Sequence, residues 1–381
     1  MSAENIGNAA SVRPLRVALV LGASVGGIGA HVRDLAAYCV ARGDRVVVAG
    51  PAQTGVHFGF SDTGARFVPL PAHTASAVRI PQTRRKLRRV LAEADVVHSH
   101  GIKAAALTNL ALAGLPHSAR PRHVVTLHNA VLARGFRKRI SGLIELAAAG
   151  PADVVLGASA DLVDRARELG ARQAALCPVP APPLPPTANP DRDAARAATR
   201  GEFRLGACER LVLSVGRLAS QKSYPDLLDA VDAFTRAHPE TEVRVLIAGE
   251  GPQRAALAAG IARRELPVTL LGHRSDVADL LAAADVFVLC SEWEARALVV
   301  QEALRAGTPV VATAVGGIPD LVGDAALLVP WHAPDALADA LHRVLTDKPL
   351  EHGLRHAGPA RAATWPTSHE ALAEVCAWYV A

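Results

Sequence analysis

Ser291 to Gly317 reads SEWEARALVVQEALRAGTPVVATAVGG. The run before it, Asp285 to Cys290 (DVFVLC), is apolar without alternation, as expected of a strand buried on both faces of a parallel sheet. The polar SEWEARA is then a loop at that strand's carboxyl end. From Leu298 to Arg305 the pattern becomes helical, with Leu298, Val299, Glu302 and Ala303 near one face, and Gly307 stops the helix. Pro309 to Thr313 starts the next strand. Glu294 in the loop and Glu302 on the helix are eight positions apart. In one continuous helix they would be about 12 Å apart along the axis. With Glu294 on a loop, both can face the crevice above the strand ends, where α/β sheets bind ligands.

Working outward, Arg16 to Leu21 (RVALVL) is a buried strand, Gly22 to Gly29 a glycine-rich turn, His31 to Arg42 a helix ended by Gly43, and Arg45 to Ala49 a second strand. This βαβ start predicts a doubly wound parallel sheet. The glycine turn fits a dinucleotide cradle or a tight turn needing only backbone freedom. A short-chain dehydrogenase would also need Tyr-x-x-x-Lys, and none of Tyr38, Tyr224 and Tyr379 has lysine at that offset. His100 in DVVHSHG (Asp95 to Gly101) and His128 in VVTLHN (Val124 to Asn129) each follow an apolar strand, so both line one crevice. RLVLSV (Arg210 to Val215) opens a second set of strands with VRVLIAGEG (Val243 to Gly251) and VTLLG (Val268 to Gly272). Arg217 and Lys222 flank the turn after Val215, placed to neutralise phosphates.

At 381 residues the chain predicts two domains. Residues 1–14 read as a frayed tail and not a signal peptide, and 179–204 as a stiff, proline-rich linker. No apolar stretch reaches the roughly 18 residues of a membrane span. The five cysteines are scattered and never in C-x-x-C spacing, which points to reduced thiols in the cytoplasm and against a zinc site. Few aromatics argue against a nucleic-acid stacking platform. Lys and Arg outnumber Asp and Glu by 22 to 11 in residues 1–178, whereas 201–381 hold 16 against 23. A basic front half suggests an anionic partner. Its basic residues cluster at Arg84, Arg85, Lys86, Arg88 and Arg89, on a short amphipathic helix within Pro81 to Leu91, and again at Arg134, Arg137, Lys138 and Arg139. A solvated surface, anionic lipid headgroups on the inner face of the cell membrane, and a phosphorylated or polyanionic acceptor all produce this pattern.

The spacing S-x-x-E-(x7)-E-A-L-x-A-G-T-P-V-V-A-T-x-x-G-G resembles the donor-site signature of retaining glycosyltransferases of family 4. G-R-L-x-x-x-K at Gly216 to Lys222, D-V-V-H-x-H-G, T-x-H and the Gly26 to Val32 loop are similar to further motifs of that family. The resemblance covers about residues 15–381. It implies a GT-B fold: two Rossmann-like domains facing across a cleft, an acceptor-side domain at 15–178 with a returning C-terminal helix at 365–381, and a nucleotide-sugar domain at 205–364. By resemblance Glu294 contacts the donor sugar, Glu302 the ribose, and Arg217 and Lys222 the diphosphate. Gly26 and Gly27 let the backbone approach the donor, and His273 and Arg274 meet the base. His31 and His128 lie on the acceptor side, His128 nearest the anomeric carbon, while His100 is structural or on the acceptor side. The family usually has Glu-Gly-Phe-Gly where this chain has Glu294-Ala295-Arg296-Ala297, which places Arg296, Ala297 and Leu298 against the donor and adds a bidentate group. The implied chemistry is retaining, metal-independent transfer from a nucleoside-diphosphate-sugar to a glycan, lipid or small-molecule hydroxyl, with no cofactor. A phosphorylase or epimerase of the same fold, and a non-catalytic sugar-nucleotide or membrane-surface module, are the alternatives.

Overall fold

The computed structural model describes residues 13–24, 26–71, 80–130, 136–179 and 192–381. It divides into two compact units, one formed by the chain up to Pro178 plus His369–Ala381, the other by Val179–Ser368.

The described strands of the first unit are β1 (Arg16–Leu21), β2 (Arg45–Pro51), β3 (Arg66–Leu70), β4 (Val96–His100), β5 (Arg122–Leu127), β6 (Val154–Gly157) and β7 (Ala174–Leu176). All pairings are parallel and the order is 3-2-1-4-5-6-7. Interleaved helices are α1 (Gly27–Ala41), α2 (Ala52–Phe58), α3 (Ile80–Leu91), α4 (Ile102–Leu112), α5 (Phe136–Ala149) and α6 (Ala160–Glu168). β1 shows why its sequence is apolar without alternation. Val17, Leu19 and Leu21 pack with Val32, Leu35 and Cys39 of α1, and with Leu372, Val375, Cys376 and Tyr379 near the chain's end. Ala18 and Val20 face the other way, toward Leu87 and Leu91 of α3 and Ala104 and Leu107 of α4. With side chains alternating in direction, both faces are covered, and each fully buried leucine contributes about 1.5–3 kcal/mol.

The second unit opens with α7 (Arg192–Glu202), followed by β8 (Arg210–Val215), α8 (Tyr224–Ala237), β9 (Val243–Ala248), α9 (Arg254–Arg264), β10 (Val268–Gly272), α10 (Val277–Ala283), β11 (Val286–Leu289), α11 (Leu298–Arg305), β12 (Val310–Thr313), α12 (Ile318–Val322), β13 (Leu327–Val329), α13 (Pro334–Thr346) and α14 (Lys348–Ala362). The final helix, α15 (Ser368–Ala377), belongs almost wholly to the first unit. The second sheet is again parallel, ordered 10-9-8-11-12-13. In both sheets the order reverses beside the first strand, creating a crevice at the carboxyl ends between β1 and β4, and between β8 and β11.

Residues 192–202 correct the expected linker, because they are helical and anchored on the second unit. Arg196 donates to Asp285 Oδ1 at 2.6 Å and to the carbonyl of Ala283 at 2.5 Å, closing the end of α10. Arg200 reaches Asp285 Oδ2 at 3.3 Å, and the Leu211 amide donates to the same oxygen at 2.7 Å. Burial alone would raise the Asp285 carboxyl, but the Leu211 amide and Arg196, with Arg200, outweigh it and hold it below its ordinary range. The proline-rich stretch 180–191 lies outside the described residues, as do residues 1–12.

Candidate functional site

In the second unit, the turn after β8 and the loop after β11 meet at the crevice. Ser220–Lys222 forms a single 3-10 turn, and Ser223 stands in the left-handed region at φ 46° before α8 begins. Lys222 Nζ lies 2.6 Å from Glu294 Oε1, and Ser291 Oγ donates to that same oxygen at 2.7 Å. Backbone bonds hold the two segments in register. The Glu292 amide donates to the Gln221 carbonyl at 2.8 Å, and Gln221 Nε2 donates to the Trp293 carbonyl at 2.8 Å. From the other side, Thr313 Oγ1 donates to the Ser291 carbonyl at 2.8 Å and the Gly317 amide to the Glu294 carbonyl at 2.9 Å. The glycine pair ending the signature has a physical reason. Gly316 sits at φ 52°, and a Cβ there would fall 2.1 Å from the Glu294 carbonyl oxygen.

Glu294 is therefore fixed by lysine, hydroxyl and backbone before any ligand arrives, and only its Oε1 is committed by these bonds. Arg217 is exposed on the same turn and makes no side-chain hydrogen bond or ion pair among the described residues. Glu302 is half-buried on α11. Burial raises its carboxyl above the ordinary range, with Arg305 opposing. Ala297 caps α11 and is buried, and Leu298 is its first residue.

Two expected donor contacts look elsewhere. Arg274 is held by Asp276 at 2.7 Å and by Glu202 of α7 at 2.9 Å, and lies over the Phe203 ring. Those carboxylates, Asp276 foremost, push its guanidinium above the ordinary value, so it serves as a clasp on α7. His273, its neighbour, is exposed. Arg296 lies over the Trp365 ring at 5.4 Å, with Arg305 over the same ring at 5.6 Å. Its Nε and Nη2 are buried without a hydrogen-bond partner among the described residues, as is Trp365 Nε1. Burial, then Arg361 and Arg305, push the Arg296 guanidinium down to about 10.

In the first unit, Gly26 caps α1 and Gly27 begins it, while the Gly29 amide donates to Ser24 Oγ at 3.1 Å. His31 on α1, His100 ending β4 and His128 after β5 converge beside the β1–β4 crevice. His100 Nδ1 is 3.2 Å from His128 Nε2, and His31 meets both rings edge-on at 5.7 and 5.6 Å. His100 Nε2 is buried without a partner among the described residues. Burial drives all three imidazoles toward the neutral form, His31 down to about 4 and His128, with help from His31, to about 3. Sequence reasoning gave no role to His98, which bonds Tyr379 Oη at 2.9 Å and Thr126 Oγ1 at 2.7 Å. Its place two residues before His100 on one strand face was the available signal. Ser291 and Gln221 were likewise passed over as supports.

On α3, Arg84 donates to the carbonyls of Leu110 and Ala113 at 3.0 and 3.4 Å, closing the end of α4. A groove of about 390 Å³ is lined by Pro81, Arg84, Arg85, Arg88, Arg89 and Ala92. Arg134 and the side chains of Arg137, Lys138 and Arg139 lie outside the described residues. No helix of the described residues is long and apolar enough to cross a membrane.

Both halves match known sequence families: residues 26–182 match a glycosyl transferase 4-like domain and residues 209–347 the glycosyl transferases group 1. The chain belongs to the family 4 glycosyltransferases of GT-B fold. Among relatives of this family, the D-inositol 3-phosphate glycosyltransferase of Corynebacterium jeikeium is 34% identical over 210 residues, covering 50% of this chain and 49% of that protein. The N-acetyl-alpha-D-glucosaminyl L-malate synthase of Bacillus anthracis is 29% identical over 157 residues, covering 40% of each. The chain thus spans about half the length of the curated relatives it matches, or less. The solved structure of Anabaena Alr3699/HepE in complex with UDP shares the fold, with a TM-score of 0.81 at 19% identity over 96% of this chain and 99% of that one. WaaG, a glycosyltransferase involved in lipopolysaccharide biosynthesis, does so at a TM-score of 0.71 and 18% identity, covering 96% and 99%.

Proposed function

We propose that the protein is a retaining glycosyltransferase that moves a sugar from a nucleoside-diphosphate-sugar to an acceptor hydroxyl without a metal ion. The observation that carries this reading is the Lys222–Glu294–Ser291 cluster at the β8–β11 crevice, with an exposed Arg217 on the same turn that has no protein anion to neutralise among the described residues. Cleaving the bond between the anomeric carbon and phosphate oxygen leaves charge on the diphosphate, and preorganised cations stabilise charge developing there. Arg217 and Lys222 supply that charge. Glu294 accepts hydrogen bonds from sugar hydroxyls and Glu302 from the ribose. The anomeric carbon then bonds the acceptor oxygen, whose proton passes to the leaving phosphate. His128, neutral at physiological pH, orients the acceptor by hydrogen bonding and is no cation.

A uridine nucleotide is the first donor to test, because HepE was solved with UDP and with UDP-glucose. The basic groove on α3 supports an anionic acceptor or surface, as do the phosphorylated substrates named for several relatives. Contact with an anionic membrane from the cytoplasmic side draws support from Leu110 on α4 and Leu143, Ile144 and Leu146 on α5, which are exposed on adjoining helices.

Thermal shift against UDP, GDP and ADP and their sugar conjugates, with and without EDTA, tests the donor. Ligand at 100 times its dissociation constant adds about 2.7 kcal/mol. A shift with one nucleotide, kept in EDTA and lost in Arg217→Ala and Glu302→Ala, is expected. Loss of the shift in EDTA refutes metal independence. NMR of the product's anomeric proton reads retention directly.

A further inference from the structure

α14 carries two histidines one turn apart, His352 and His356, both exposed. Their Nε2 atoms approach to 3.1 Å, with the rings edge-on at 4.4 Å. The opposite face of α14 is buried at Leu354 and Gly358, where a Cβ on Gly358 would fall 2.8 Å from the Leu304 carbonyl of α11. The pair therefore points to solvent from a helix locked on its other side.

We propose that His352 and His356 form a bidentate site for a divalent transition-metal ion such as Zn²⁺ or Ni²⁺. An imidazole nitrogen binds such an ion at about 2.0–2.1 Å. Two nitrogens 3.1 Å apart then subtend roughly 100° at the ion, between the octahedral and tetrahedral angles. No third His, Cys, Asp or Glu among the described residues joins the pair, so water completes the coordination. Without metal, one Nε2–H bridges the two rings. On binding, that proton moves through solvent to the Nδ1 of its own ring, and both Nε2 lone pairs coordinate.

The position has a consequence for the helix. Pro359 has no N–H to give the Arg355 carbonyl, so α14 lacks a rung immediately after His356. A metal ion clamping His352 to His356 ties together the turn that precedes the gap. This site is separate from the sugar-transfer residues and stands whether or not the proposed activity does.

The test is calorimetric titration of Zn²⁺ and Ni²⁺ into the untagged full chain. One ion per chain is expected, with affinity falling about tenfold or more in His352→Gln and in His356→Gln. The double variant H356A/A360H keeps two histidines on α14 but sets them about 12 Å apart along the axis, and it should bind as weakly as the single variants. Circular dichroism confirms that each variant retains its helix content. Absence of binding to the parent chain overturns the proposal. So does undiminished binding in His352→Gln or in H356A/A360H, which would assign the ion to other histidines such as His57 or His273.

Discussion

Replacing Arg296 by phenylalanine should stabilise the second unit. The guanidinium is partly buried over Trp365 with Nε and Nη2 unpaired, near Arg305 and Arg361. Holding it at about 10 instead of the ordinary 12.5 corresponds to a penalty on the order of 3 kcal/mol on the charged form. Solvent screening at the partly exposed side chain reduces this to about 1–3 kcal/mol, the same range as the cost of unmade hydrogen bonds. The lost cation–π contact, about 0.5–1 kcal/mol, is offset by an aromatic pair of similar size with Trp365. For a unit of this length, each kcal/mol moves the melting temperature by about 2–4 °C. Arg296→Phe should therefore melt about 2–12 °C higher by calorimetry in low-phosphate buffer. Arg296→Ala, which leaves space above the indole, should gain less. A fall in melting temperature for Arg296→Phe would refute the reasoning, because it would mean that the buried N–H groups are satisfied. The same variant should leave donor KM within about threefold of the parent's if the side chain serves Trp365 and not the sugar.

Other outcomes follow from the same contacts. Lys222→Ala strips Glu294 of its cation and the diphosphate of a counter-charge, which at about 2–4 kcal/mol predicts a loss of 30- to 1000-fold in kcat/KM for the donor; a loss under threefold would exclude Lys222 from the site. Asp285→Asn leaves Arg196 and Arg200 without their carboxylate, so about 3–5 kcal/mol and a melting temperature lower by about 6–20 °C are expected, and a change below 2 °C would show that α7 does not depend on the pair. His31 and His128, at about 4 and about 3 when folded against 6.5 ordinarily, stay neutral in the native chain while the unfolded chain takes up protons. Stability is then complete above pH 6.5, falls as the pH drops toward 4, and levels off below 3, with about 2 kcal/mol lost per histidine at pH 5. Urea unfolding of the first unit that is unchanged between pH 7 and pH 5 would contradict this.

The strands were legible because a doubly covered sheet writes itself as uninterrupted apolar residues. RVALVL and VTLLG match β1 and β10 residue for residue, while DVFVLC loses only its flanking Asp285 and Cys290. The cluster at the β8–β11 crevice was legible in part, since Glu294 and Lys222 stand in motifs whose spacing follows from the turns that carry them. What stayed hidden depends on partners far along the chain. Arg196 reads as one arginine in an alanine-rich stretch behind a run of prolines, and only Asp285, 89 positions on, makes that stretch a fixed helix. Arg274 looked available for a base until Glu202, 72 positions earlier, took its guanidinium.

Arg296 carries the same lesson into the signature itself. Its position in the loop led to an expectation of donor contact, whereas its side chain turns to Trp365, which packs with the second unit's core. Where the family usually has phenylalanine, this chain sets a flat guanidinium over an indole, at the cost of buried N–H groups left unpaired among the described residues. The backbone of the loop is held independently, by the Gln221, Thr313 and Gly317 bonds around Ser291 and Glu294. Loss of the family's two glycines at Ala295 and Ala297 is thus compatible with an intact Glu294, because neither residue needs a positive φ here. The glycine that does is Gly316, which the chain retains and whose replacement by alanine should disturb Glu294 more than any change at Arg296.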